Sequence, residues 1–342
     1  MKYKQLGNTG LLVSELCFGA MTFGGSGFWE VVGTHQQKEA SSLVARSLEA
    51  GINFFDTANV YSNGESERLL GKALEGRRHE VIVATKVYGR MGPAANQVGL
   101  SRVNILDQVH ASLNRLNTDY IDLYQLHAFD SVTPMEETLR TLDDLVTSGK
   151  VRYIGCSNWA AWQIMKALGL SALHNWVRFE SLQAYYTIAG RDLEREIAPL
   201  LRDQKLGLMV WSPLAGGLLT DKFHNVQQNP EEARRSRFDF PPVNRERLPG
   251  ILDTLAAIGK AYNMSIARIA LAWLLHQHVV TSVIIGAKRM EQLEDNLAAV
   301  DVVLSAEDLE KLAAVSALPP EYPGWMIERQ GQGRLPDPAV TG

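Results

Sequence analysis

The sequence predicts an α/β protein, a (β/α)8 TIM barrel with an N-terminal β-hairpin closing its bottom. Three observations lead there. Eight short, apolar, β-rich runs recur along the 342 residues. Between them lie segments whose apolar residues recur at three- and four-residue spacing, as amphipathic helices require. No G-x-G-x-x-G turn follows the first run, as an open doubly wound sheet would normally bring; Gly19 and Gly24-Gly25-Ser26-Gly27 do not fit that spacing. Strands alternating with helices pair in parallel through crossovers, and eight such units point to a closed barrel.

Taken in chain order, residues 3–6 and 11–13 read as the hairpin, turning at Gly7-Asn8-Thr9-Gly10. The eight barrel strands fall at residues 15–18, 53–56, 81–85, 121–126, 151–155, 179–183, 208–211 and 282–285. Helical patterns are clear over 39–50, 102–116, 135–147, 193–204 and 290–299. Residues 222–248 break the rhythm as a long polar stretch rich in Arg and Pro, and a loop of that length is usually functional. Its Arg234, Arg235 and Arg237 read as solvated charges. From about residue 318 the tail is Pro- and Gly-rich and reads as irregular, with Tyr322, Trp325 and Met326 anchoring its first part. No repeat or linker divides the chain, so residues 1–342 read as a single domain.

The 46% hydrophobic content supplies a large core, and the formal net charge is −4. No basic block argues for nucleic acid or an anionic membrane surface. The first residues lack the apolar stretch of a signal peptide, and no apolar run is long enough to span a bilayer. A soluble, cytoplasmic protein is the expectation. Cys17 and Cys156 lie in strand-like runs without a C-x-x-C partner and read as reduced core residues. The histidines show no metal-ligand spacing, so no metal is expected.

Four polar side chains lie at or just past strand ends: Asp56, Tyr61, Lys86 and His127. In a barrel those ends converge on one face, where active sites are built. A phenol has an unperturbed pKa near ~10, and a nearby ammonium favours its ionised form. Lys86 can act on Tyr61 in this way, and Asp56 can hold Lys86 charged and in place. His127 can donate a hydrogen bond to a carbonyl oxygen on which negative charge builds. Such a site polarises a carbonyl and lacks only a hydride source, which implies a nicotinamide cofactor.

Over most of its length the sequence resembles the aldo-keto reductases, in the branch of aryl-alcohol-dehydrogenase-like and potassium-channel β-subunit-like proteins. The resemblance rests on several motifs in the right order. These are Phe55-Asp56-Thr57-Ala58-Asn59-Val60-Tyr61, Ala84-Thr85-Lys86, and Tyr120 to His127. Gly149 to Asn158, Trp211-Ser212-Pro213-Leu214 and Ile284-Ile285-Gly286-Ala287-Lys288 complete the set. It implies a catalytic tetrad of Tyr61, Asp56, Lys86 and His127, with NADP(H) as cofactor. It further implies that Ser157, Asn158 and Gln183 hold the nicotinamide carboxamide and that Trp211 stacks on its ring. Ser212, Pro213, Leu214 and Gly216 would line the pyrophosphate path. Gly286, Ala287, Lys288, Gln292 and Asn296 would take the adenosine end. Gly19 and Met21, past the first strand, complete the expected cofactor contacts. Lys288 beside Arg289 favours a 2′-phosphate, although Lys is a point charge where many relatives have the planar fork of Arg.

The expected partner is a small carbonyl or alcohol substrate, with no nucleic acid and no membrane; a homo-oligomer is left open. No charged anchor for the substrate stands out. Phe23, Phe28, Trp29, Tyr88 and Trp159 lie near strand-end loops, either as an apolar pocket rim suited to aryl or small aliphatic carbonyls or as packing of loop on loop. The alternative to a working reductase is a cofactor-binding regulatory protein of the β-subunit kind.

Overall fold

The structure, a computed structural model, describes residues 1–25, 27–33, 35–224, 235 and 238–331, the side chains of Gly27 and Phe28 excepted. Strands β1 (Tyr3–Gln5) and β2 (Leu12–Ser14) form the antiparallel hairpin, with Tyr3 opposite Ser14. Eight further strands form a closed, all-parallel barrel in chain order. They are β3 (Leu16–Gly19), β4 (Phe54–Asp56), β5 (Ile82–Val87), β6 (Ile121–Leu126), β7 (Val151–Ser157), β8 (Phe179–Tyr185), β9 (Gly207–Trp211) and β10 (Val280–Ile285). β10 pairs with both β9 and β3, which closes the ring.

At least one helix follows each strand. In order they are Gln37–Glu49, Glu65–Ala73, Arg102–Leu116, Met135–Thr147, Ala161–His174, Ile197–Gln204, the pair Leu248–Tyr262 and Ile266–Leu275, and Met290–Leu297. The expected barrel is therefore the observed one.

Adjacent residues on a strand point to opposite faces, and here both faces are apolar. Phe55 and Tyr124 pack outward against the helices, whereas Phe54 and Leu123 point into the barrel. There they meet Cys17, Ala84, Met209 and two hairpin residues, Leu6 and Val13. The hairpin thus plugs the end where the strands begin. Lys4 Nζ fastens it to the Val280 carbonyl at 2.9 Å. Gly7 has φ +59°, and a Cβ there would lie 2.1 Å from the Glu180 carbonyl oxygen, so no larger residue allows this approach.

Three expectations need correction. The tail is helical over Gly324–Gly331. Of the three expected anchors Tyr322 and Trp325 are exposed, whereas Met326 is half-buried; Arg195 fastens the start of the tail through Glu321 at 2.7 Å and the Pro319 carbonyl at 3.2 Å. Arg235 is 2% exposed instead of solvated. Its guanidinium binds the Ala215 carbonyl at 3.0 Å and also engages Asp239 and the Pro241 carbonyl. Arg234 and Arg237 lie outside the described residues. Both cysteines are buried and free. Among the described residues no helix is long and apolar enough to cross a membrane.

Candidate active site

The four polar side chains expected at strand ends lie at the end of the barrel opposite the hairpin. Asp56 ends β4, Lys86 lies one residue from the end of β5, and His127 directly follows β6. Tyr61 opens the short turn Tyr61–Gly64 after β4. Lys86 is fully buried, and its ammonium donates to Asp56 Oδ1 at 2.5 Å, to the Thr57 carbonyl at 2.8 Å and to Tyr61 Oη at 3.3 Å. The other Asp56 oxygen accepts from Gln183 Nε2 at 2.8 Å and Gln125 Nε2 at 3.1 Å. A buried carboxylate and a buried ammonium are costly singly, and this geometry supplies both with partners.

Burial alone would lower the pKa of Lys86. The Asp56 carboxylate and the Tyr61 oxygen outweigh it, and the ammonium is held above its ordinary value. His127 goes the other way: burial, reinforced by the Lys86 charge, lowers its pKa to about 3. Its imidazole is therefore neutral at neutral pH and carries one N–H to donate. The His127 ring meets Tyr61 edge-on, with centroids 5.7 Å apart, and Trp29 meets Tyr61 from another direction at 5.1 Å.

A chain of hydrogen bonds joins this cluster to the residues expected to hold a nicotinamide. Ser157 ends β7 and is buried. Asn158 adopts a left-handed backbone with φ 61°. Its Nδ2 donates to the His127 carbonyl at 3.1 Å and to Ser157 Oγ at 3.0 Å, and its Oδ1 accepts from Trp211 Nε1 at 3.0 Å. Gln183 uses its amide nitrogen on Asp56 and, at 3.4 Å, on Gln125 Oε1. Trp211 is half-buried at the end of β9, with Tyr185 tilted to it and Phe240 parallel to it.

Beyond Trp211, Ser212 Oγ accepts the Gly216 N–H at 3.0 Å; Pro213 is buried, while Leu214 and Gly216 are half-buried. Gly19 ends β3, and Met21 lies half-buried in the turn after it. A separate group gathers at the start of helix Met290–Leu297. Gly286 and Lys288 are exposed, and Ala287 is buried. Asn296 Nδ2 donates to the Gly286 carbonyl at 3.3 Å, and Gln292 Oε1 accepts the Lys288 N–H at 2.8 Å. The loop bearing Trp29 reaches this group too, because Lys288 Nζ lies 3.5 Å from the Val31 carbonyl.

The pocket-rim residues divide. Trp29 and Tyr88 are half-buried. Phe23 and Trp159 are buried in packing, the latter against Phe129 and Phe179. The side chain of Phe28 lies outside the described residues. Sequence reasoning missed Gln125, whose inward position two residues before His127 was the available signal. It also missed Phe240, which lies in the long polar stretch after β9.

A model described as the aldo/keto reductase family matches residues 15–317. A Schizosaccharomyces pombe protein named for aryl-alcohol dehydrogenase is 38% identical over 337 residues, covering 91% of this chain and 94% of that protein. An Arabidopsis thaliana protein named for the β subunit of voltage-gated potassium channels is 36% identical over 334 residues, covering 94% and 99%. Versiconal hemiacetal acetate reductase of Aspergillus parasiticus is 34% identical over 342 residues, covering 91% and 96%.

Proposed function

Since the chain belongs to the aldo/keto reductase family, we propose that it reduces aldehydes or ketones to alcohols with NADPH, Tyr61 giving the proton. The contact between Tyr61 Oη and Lys86 Nζ at 3.3 Å, with Asp56 at 2.5 Å behind the ammonium, carries this reading. When bound, NADPH supplies the hydride. Lys86 draws charge from the phenol and makes it a better acid. Asp56 keeps Lys86 charged, and the two glutamines hold Asp56 still. The neutral His127 imidazole donates to the carbonyl oxygen and orients it while negative charge develops. Tyr61 then protonates that oxygen.

The residues present fit such a cofactor. Trp211 offers a half-buried flat ring, and Asn158 beside it presents its amide oxygen, which accepts from the indole and keeps a second lone pair. Ser157 adds a hydroxyl, and Gln183 presents its oxygen, its nitrogen being committed to Asp56. The exposed Lys288 at a helix start suits a phosphate, and so favours NADPH over NADH. Trp29 against Tyr61 supplies an apolar wall, which suits an aryl or small aliphatic carbonyl. The test is a panel of aldehydes, ketones and sugars assayed with NADPH and with NADH. Preference for a polar sugar over every apolar aldehyde would refute the substrate class, and equal affinity for the two cofactors would refute the NADPH preference.

The likeness to a protein named as a channel β subunit favours a second reading, a cofactor-binding regulator with residual turnover. It predicts tight NADPH binding without appreciable reduction of any carbonyl in the panel.

A further inference from the structure

We infer that Glu67 and Arg115, on the outer side of the barrel wall, are positioning residues that set the Lys86–Tyr61 contact. The inference rests on the proposed chemistry only for its activity readout. Glu67 belongs to helix Glu65–Ala73 and is fully buried. One of its oxygens accepts from Thr85 Oγ1 at 2.6 Å, and the other from Arg115 Nε at 2.6 Å. Thr85 directly precedes Lys86. Its hydroxyl faces out of the barrel toward Glu67 while the Lys86 side chain faces in, so Glu67 fixes the backbone from which the ammonium projects.

Arg115 fixes the other partner. It lies against Gly64, three residues after Tyr61: a Cβ on Gly64 would be 2.6 Å from Arg115 Cδ. The intervening Ser62 and Asn63 have φ of 48° and 55°, and Gly64 has φ 91°. Left-handed residues other than glycine are costly and persist only where their surroundings over-determine them. Ser62 Oγ supplies part of that constraint, donating to the Phe23 carbonyl at 3.0 Å and accepting the Gly25 N–H at 3.0 Å. The Arg115 side chain against Gly64 supplies the other side.

One ion pair, its carboxylate fully buried and its guanidinium largely so, thus holds both ends of the Lys86–Tyr61 contact from behind. Stability alone does not call for it, since well-packed apolar residues are often as good in place of a buried pair. Among the described residues, the titratable groups facing Tyr61 itself include the charged Lys86, backed by Asp56, and the neutral His127.

The test is the double variant Glu67→Met/Arg115→Met, which removes both charges and leaves none unpaired. It is compared with the wild type and with Tyr61→Phe in each background. The expected result is a folded protein with NADPH affinity unchanged and single-turnover reduction slowed roughly 10- to 100-fold, the scale of a small misplacement of reacting groups. Tyr61 ionisation, read as the tyrosinate absorbance lost in the matching Tyr61→Phe protein, should move to higher pH because the ammonium no longer sits beside it. Wild-type turnover together with a wild-type Tyr61 titration would overturn the inference. If the double variant does not fold, Thr85→Val cuts only the tie to β5 and is judged by the same two readouts. If the wild type reduces no carbonyl, the proposed function falls while the Tyr61 titration still decides the positioning role.

Discussion

Trp211 and Asn158 are joined by a hydrogen bond from the indole Nε1 to the side-chain Oδ1 at 3.0 Å. Asn158 in turn holds the His127 carbonyl at 3.1 Å. The ring proposed as the aromatic platform is therefore coupled to the group proposed to orient the substrate. Trp211→Phe keeps a flat ring and deletes this bond. A net hydrogen bond is worth about 0.5–1.5 kcal/mol, so NADPH affinity should fall roughly 2- to 13-fold. Titration of the variant with NADPH checks this, and an unchanged Kd would show that the bond does not preorganise the site.

Tyr61→Phe should leave cofactor binding intact, because the proton is needed in the transition state. Single-turnover reduction of a good aldehyde should slow by at least ~10²-fold, the usual scale for general acid catalysis. A variant with bound cofactor that reacts near the wild-type rate would end the proposed mechanism.

Lys86→Met should cripple turnover and also weaken the fold. It leaves the Asp56 carboxylate buried without its ammonium, a loss of about 3–5 kcal/mol by analogy with other broken buried pairs. The wild type carries a pH signature of the same contact. The folded pKa of Lys86 is raised, so its stabilisation is complete below the unfolded value near ~10.4. It is lost as pH rises through the folded value. Chemical denaturation in the alkaline range should show this decline in the wild type, and the Lys86 share of it should be missing from Lys86→Met.

His127 has the opposite sign. Its folded pKa of about 3 lies below the unfolded value, so the unfolded chain takes up a proton that the folded chain refuses. Stability should fall as pH drops from the unfolded pKa, near ~6.5, toward the folded one. His127→Gln should flatten that part of the curve. An NMR titration places the imidazole directly, and a midpoint near the ordinary histidine value would contradict the neutral assignment.

The barrel was legible because strands buried on both faces leave continuous apolar runs, as Phe54-Phe55 does on β4. Helices were legible where one face only is apolar, as over Met135–Thr147. Helix Glu65–Ala73 is shorter, and its buried face includes the polar Ser66 and Glu67 beside Leu69 and Leu70, so its apolar spacing covers little of the chain. Arg235 read as solvated because a cation in a polar stretch usually is, and no local pattern announces three carbonyl and carboxylate partners. Asp56, Tyr61, Lys86 and His127 stood out through their common placement at strand ends. Gln125 and Gln183 did not reveal their hold on Asp56, because that contact joins strands 69 and 127 residues away in sequence. The buried Phe23 and Trp159 show the same limit, since an aromatic in a loop looks alike whether it lines a cavity or fills one.

The hairpin at the strand origins gives the barrel a floor. With Leu6 and Val13 stoppering the barrel from below, the polar side chains at the strand ends lie toward the opposite rim. Labour is divided by altitude: the lower storeys store stability, and the top storey negotiates with whatever arrives. Appetite for one molecule or another can therefore be rewritten in the upper loops, through residues such as Trp29, without disturbing the foundation on which the chemistry stands.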